Sequence, residues 1–361
     1  MEAADVMKGE LLDLVNLRRV AIVRCCGLGD VAQMTPLLQQ IRHDAPQAVV
    51  EVFLNANVAP LLEGSEWVDR VHAIPVADFA ATRSAPFLSQ LWAKVRQQGS
   101  FDALFCLDLS WSRTLLSGRV KASRRIGFRT EGWKPWSPLD FTVTVPLDYA
   151  RNADHTSLWF LRLWLGPTDM DDFGFGPELG HLREARSTRL ARHVALVPKA
   201  GNDLVPGDLK QWPMQAWPKL AAKLLSEGWT PVVMGRQGDF DMATMPPGTL
   251  DMQGRQSVTE AARYISRCAG LIGNDSGLYH LALALGTPAV GLFGPTAVAR
   301  TGPFRSPHGL ALTAALPCVP CCASQCTVAA EGREEKDRPF CLSSLTPETV
   351  CERALKHFSR S

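Results

Sequence analysis

Three groups of residues carry types and spacings that could do chemistry. The first is Asn274-Asp275-Ser276-Gly277, which opens a short apolar helix with His280 one turn in and Gly286 and Pro288 at its end. A hydrophobic core requires none of these polar types there. The first N–H groups of a helix have no intrahelical partner, and the helix dipole favours an anion beside them. Gly277 admits a ligand close to the backbone and Ser276 can donate its hydroxyl. Asp275 would oppose an anion and is expected to cap the helix or bind a sugar hydroxyl, while His280 reads equally as a satisfied core histidine. Lys210, in Lys210-Gln211-Trp212-Pro213, is either a point charge for phosphate or a solvated lysine beside a packed tryptophan.

The second group is Gly27-Leu28-Gly29-Asp30-Val31-Ala32, placed between a strand and a helix. Gly27 and Gly29 allow a sharp turn and close backbone approach. The pattern imitates a dinucleotide fingerprint, but Glu51 falls inside the next strand rather than at its end, which weakens a nicotinamide reading. Asp30 is then either a helix N-cap or a carboxylate poised as a general base. Asp239 follows a strand that ends at Met234, and Asp239-Phe240-Asp241 is too short a motif to argue a metal pair.

The third group is the cysteines, six of whose ten lie between Cys318 and Cys351. Cys318, Cys321, Cys326 and Cys341 have spacing suited to a tetrahedral thiolate site for structural iron or zinc, with Cys322 and Cys351 as spares. The competing reading is a reduced loop of free thiols. Cys25, Cys26, Cys106 and Cys268 sit in apolar runs and read as core.

These residues need scaffolds to hold them, and the pattern supplies two. Strand-like Arg19–Cys26, helix-like Asp30–Arg42, then strands Val49–Leu54 and Ala103–Asp108 alternate as in an α/β domain with a parallel sheet. A second series runs through strand Val194–Pro198, helix Gln215–Leu225, strand Thr230–Met234, helix Thr259–Arg267 and strands Leu271–Gly273 and Ala289–Phe293. The expected organisation is an N-terminal extension (1–17), a first α/β domain (18–170), a linker (171–192), a second α/β domain (193–345) that contains the cysteine-rich segment 317–342, and a C-terminal helix (346–361). Two doubly wound sheets facing each other would enclose an interdomain cleft beyond the strands' carboxyl ends. Hydrophobic residues make up 46%, charged residues 20% and the net charge is +2, an ordinary globular composition that does not call for nucleic acid. The N-terminus does not read as a signal peptide and no apolar run is long enough to span a bilayer, so a cytoplasmic protein is expected, with peripheral contact at the inner membrane still open.

Taken in order, the motifs resemble glycosyltransferase family 9, the ADP-heptose:lipopolysaccharide heptosyltransferases, over about residues 18–355. The resemblance is carried by Asp275-Ser276-Gly277-Leu278 with His280, by Leu292-Phe293-Gly294-Pro295-Thr296, and by Gly29-Asp30 with Thr35-Pro36-Leu37-Leu38. Phe101–Asp108 with Arg125–Phe128, Asp154-His155, and Lys210 with Trp212-Pro213 fall in the same order. It implies a GT-B fold with the acceptor on the N-terminal domain (18–170) and an ADP-sugar donor on the C-terminal one (193–345), inversion at the anomeric carbon and no catalytic divalent cation. Asp30 matches the family's catalytic base, Lys210 a donor contact, and Asp275, Ser276, Gly277 and His280 the donor loop. Asp239 stands where a ribose-binding glutamate is common, and Ser276 replaces the usual threonine. The stretch Asp203–Leu209 lacks the hydroxyls often found before the lysine, which leaves the donor sugar open.

The cysteine segment is similar to that of autotransporter heptosyltransferases, which hold iron and glycosylate protein. The acceptor is therefore a lipopolysaccharide core oligosaccharide or a protein. A basic tract with Trp111, Arg113, Arg119, Lys121, Arg124, Arg125, Arg129 and Trp133 could receive either, or be a solvated face. A rival of another class is a non-catalytic binding protein built on the same scaffold around a cysteine metal site.

Overall fold

The computed structural model describes residues 17–25, 27–75, 93, 95–108, 120–130, 143–147, 154–166, 174–185, 188–201, 207–323, 325–326 and 339–360. The chain divides into two compact units, Met1–Phe175 and Gly176–Ser361.

The first unit holds strands β1 (Arg19–Arg24), β2 (Val49–Asn55), β3 (Arg70–Ile74), β4 (Ser100–Cys106), β5 (Lys121–Thr130) and β6 (Val143–Leu147), with helices α1 (Leu28–Asp44) and α2 (Thr156–Leu165). The sheet runs β3-β2-β1-β4-β5-β6, and every neighbouring pair is parallel. β1 is buried from Val20 onward, as a central strand covered on both faces must be, which is why it reads as a continuous apolar run. α1 carries Asp30 in its first turn and Arg42 and His43 in its last, matching the helix dipole at both ends. Pro36 lies inside α1 and cannot donate to the Ala32 carbonyl; the Thr35 hydroxyl takes that acceptor instead, at 2.8 Å.

The second unit holds β7 (Leu190–Val197), β8 (Thr230–Val233), β9 (Leu250–Asp251), β10 (Cys268–Asn274), β11 (Ala289–Phe293) and β12 (Gly309–Thr313). Its helices are α3 (Ala216–Ser226), α4 (Val258–Arg267), α5 (Gly277–Ala284), α6 (Val298–Thr301), α7 (Phe340–Ser343) and α8 (Pro347–Phe358). The order is β12-β11-β10-β7-β8-β9, again parallel throughout. Counted from β7, this is the same succession as in the first unit. α4 begins with a capping box in which Ser257 and Glu260 satisfy each other's backbone N–H groups. Gly286 ends α5 at φ 68°, a left-handed conformation that favours glycine. At Gly291 an added Cβ would come within 2.7 Å of the Tyr279 ring, so the absence of a side chain lets α5 lie directly on β11. No described helix is long and apolar enough to cross a membrane.

Candidate active site

In doubly wound sheets the carboxyl ends of the strands carry the ligands, where the strand order reverses. In the first unit that point lies between β1 and β4. α1 starts at Leu28, two residues before Asp30, with Gly27 as its N-cap. Asp30 is therefore not the N-cap. It sits in the first turn and closes that turn: the Gly27 N–H donates to its Oδ2 at 2.9 Å. Its Oδ1 accepts from the guanidinium of Arg24, the last residue of β1. The Asp30 side chain keeps 28% of its surface open to solvent. Gly29 lies in the same first helical turn. The arrangement is a partly exposed carboxylate, fixed through both oxygens, beside the end of a buried strand.

In the second unit the corresponding point lies between β7 and β10. Asn274 ends β10 wholly buried; its Oδ1 accepts from the Trp212 N–H at 2.8 Å and its Nδ2 donates to the Pro198 carbonyl at 2.7 Å. One amide thus ties the end of β10 to the chain just beyond β7 and to the segment carrying Lys210. Lys210 ends a single 3-10 turn, Gly207–Lys210, and is only 6% exposed, so it is not the solvated lysine the sequence allowed. Among the described residues it makes no ion pair.

Asp275 is buried one residue before the helix N-cap, which is Ser276. Its Oδ1 pairs with His280 Nε2 at 3.2 Å and its Oδ2 accepts from the Thr301 hydroxyl at 3.2 Å. Burial alone would raise this carboxyl, but the His280 hydrogen bond and the charges of His280 and Lys210 hold it below its ordinary value. His280 is accordingly both a satisfied buried histidine and a brace on the loop.

Ser276 caps α5 with its backbone in an extended conformation and no side-chain hydrogen bond. Its Oγ is buried and has no partner among the described residues. A buried hydroxyl without a partner costs free energy that a ligand would recover. Beside it, the Gly277 and Leu278 N–H groups at the start of α5 have no intrahelical acceptor. Together with the buried Lys210 they form a mouth suited to an anion.

Asp239 folds back onto its own loop, its Oδ2 accepting from the Arg236 N–H at 2.7 Å. Asp241 caps the 3-10 turn Met242–Thr244 and does not share a site with it. Cys318, Cys321, Cys326 and Cys341 line one pocket together with Leu209 and Pro295. Burial, then the neighbouring Cys321, Cys318 and Cys326, push the Cys341 thiol up to about 11. The four are free thiols, and among the described residues no group of three or more His, Cys, Asp or Glu is arranged to hold a metal ion. Of the basic tract, Trp111, Arg113, Arg119 and Trp133 lie outside the described residues, and Lys121, Arg124 and Arg125 lie on β5. Asp203 to Pro206 and Cys26 are also outside them.

Arg24, Asp108 and Asn274 are the residues the sequence reading did not assign. The available signal was positional: a charge or amide closing an otherwise apolar strand must find buried partners.

Residues 88–330 match the family model for "Glycosyltransferase family 9 (heptosyltransferase)". A lipopolysaccharide heptosyltransferase 2 of Escherichia coli (strain K12) is 31% identical over 314 residues, covering 79% of this chain and 85% of that protein. Among solved structures, E. coli heptosyltransferase WaaC with ADP aligns with a TM-score of 0.71 at 16% identity, over 94% of this chain and 99% of that one. The iron-containing dodecameric glycosyltransferase TibC of enterotoxigenic E. coli aligns with a TM-score of 0.58 at 16% identity, over 95% of this chain and 76% of that one. The two Rossmann-like sheets are those of a GT-B fold.

Proposed function

The chain belongs to glycosyltransferase family 9, and from that premise we propose that it moves heptose from an ADP-heptose donor to a hydroxyl of a lipopolysaccharide core acceptor. The observation that carries the donor half is the anion-ready mouth of α5, with its unpartnered Ser276 hydroxyl and the buried Lys210. The named relative is a lipopolysaccharide heptosyltransferase and WaaC was solved with ADP, which supports the same donor and acceptor here.

Asp30 accepts the proton of the acceptor hydroxyl as that oxygen bonds to C1 of the sugar. The bond from C1 to the diphosphate breaks on the opposite face, so the anomeric centre inverts. A carboxylate is too weak a base to ionise a free sugar hydroxyl, but it can take the proton as the new bond forms. Charge developing on ADP meets the Ser276 hydroxyl, the Gly277 N–H and Lys210, so this mechanism needs no divalent cation. Asp275 and His280 brace the loop that presents these groups, and Asp239 receives the ribose. The enzyme works in the cytoplasm, with peripheral contact at the inner membrane for a lipid-linked acceptor.

The four pocket-lining cysteines have the donor chemistry for structural iron or zinc: Cys318, Cys321, Cys326 and Cys341 would hold it, and the iron in TibC supports that reading. Such an ion would tie segment 318–326 to α7 and supply no step of the transfer.

The test is turnover on a panel of ADP- and UDP-sugars with heptose-deficient core oligosaccharide. ADP release that requires both ADP-heptose and the oligosaccharide is expected. Turnover with UDP-sugars alone, or only with a protein acceptor, would overturn the assignment.

A further inference from the structure

β1 is apolar except at its ends, and its last residue, Arg24, is only 7% exposed. A buried guanidinium is costly unless its donors are met and its charge is shared. Three elements meet it. Nη1 donates to the Leu107 carbonyl at 2.5 Å and lies 3.7 Å from Asp108 Oδ1, both just beyond β4. The Phe160 ring of α2 lies beneath the guanidinium, 5.1 Å from Cζ to the ring centroid. Nη2 donates to Asp30 Oδ1. Asp108 is itself fixed, its Oδ2 accepting from the Cys25 N–H at 3.0 Å with no side-chain surface exposed.

Arg24 therefore bridges two carboxylates of unequal freedom, one locked in the sheet and one open to solvent. We propose that Asp108 and Arg24 are the positioning residues of the base: Asp108 anchors the guanidinium, and the guanidinium sets the rotamer of Asp30. This rests on the reading of Asp30 as the general base. Asp30 Oδ1 accepts from Arg24 and Oδ2 from the Gly27 N–H, so the carboxylate cannot turn without breaking a charge-assisted hydrogen bond. A carboxylate has about four acceptor sites, so lone pairs remain for the acceptor hydroxyl. Asp108 also takes up part of the guanidinium charge, so that charge is not spent on Asp30 alone.

Two readouts test this. In kinetics, Arg24→Met lowers kcat about 100-fold, the scale of a 1 Å misplacement, while leaving the ADP Kd within about twofold. Arg24→Lys, a point charge without the fork, recovers part of the loss. In an Asp30→Asn background Arg24→Met costs little more, because residues acting as a unit are not additive. Full kcat in Arg24→Met, or losses that multiply in the double variant, overturns the inference. The second readout needs no turnover: the 13C carboxyl signal of Asp30 moves in Asp108→Asn and Arg24→Lys if the chain of contacts holds. An unmoved signal in both, with an unchanged melting temperature, overturns it. A wild-type chain that transfers no heptose while the Asp30 signal still moves would fail the functional reading and leave the positioning device standing.

Discussion

The two units share a strand order and place a helix mouth at the same reversal point, yet they fill it with opposite charge. In the first, the mouth of α1 is occupied by the protein's own anion: Asp30 bonds the Gly27 N–H on one side and Arg24 on the other. In the second, no carboxylate among the described residues accepts from the mouth of α5. Asp275 stands just before it, tied to His280 and Thr301, and leaves the Ser276 hydroxyl unmet near the positive charge of Lys210. A helix N-terminus attracts an anion in either case. On the proposed function, the first mouth has its anion built in as the base, and the second, with none among the described residues, receives the diphosphate.

The contrast can be broken from the second unit. Asp275→Asn sets an amide NH2 where a buried carboxylate oxygen meets His280 or Thr301, leaving a buried polar group unmet, so it is expected to cost about 2 kcal/mol of stability, read as a fall in melting temperature. Its pH dependence follows from the sign of the shift. The folded carboxyl lies below its ordinary value of 3.8, so its contribution is present above that pH and lost as pH falls through the folded value. The difference in stability between wild type and Asp275→Asn should accordingly persist at neutral pH and shrink in acid below about pH 4. A smaller effect sharpens the same comparison. Ser276→Ala should weaken ADP binding about fivefold, the worth of one ordinary hydrogen bond, without loss of melting temperature, because that hydroxyl has no partner among the described residues. The smallest effect lies in the cysteine pocket. In protein stripped of metal by a chelator, with its thiol pushed up to about 11, Cys341 should resist iodoacetamide at pH 8 while the exposed Cys321 and Cys322 are labelled, as peptide mapping would show.

Local pattern carried much of the fold. Ala289–Phe293 is bounded in the structure as its apolar run and flanking proline indicated. The helix expected from Asp30 begins two residues earlier because Leu28 and Gly29 join its first turn, and glycine there reads locally as loop. The strand order was not legible, since it depends on pairings such as Val20 with Ala103 that local periodicity does not encode. The same limit applies at the site. Asp30, Ser276 and Lys210 could be picked out by type and spacing. The burial of Lys210 could not, because the Trp212–Asn274 bond that holds its segment spans 62 residues. Arg24 was hidden because a strand pattern gives no sign that its last residue turns into a shared ion pair.

The most direct test of the opposed mouths measures ADP affinity and heptose transfer together in Asp30→Asn and Lys210→Met. Asp30→Asn should bind ADP within about twofold of wild type while transfer falls about 100-fold or more. Lys210→Met should weaken ADP binding at least about tenfold, the scale of a lost charged contact. Wild-type ADP affinity in Lys210→Met, or wild-type transfer in Asp30→Asn, would contradict it.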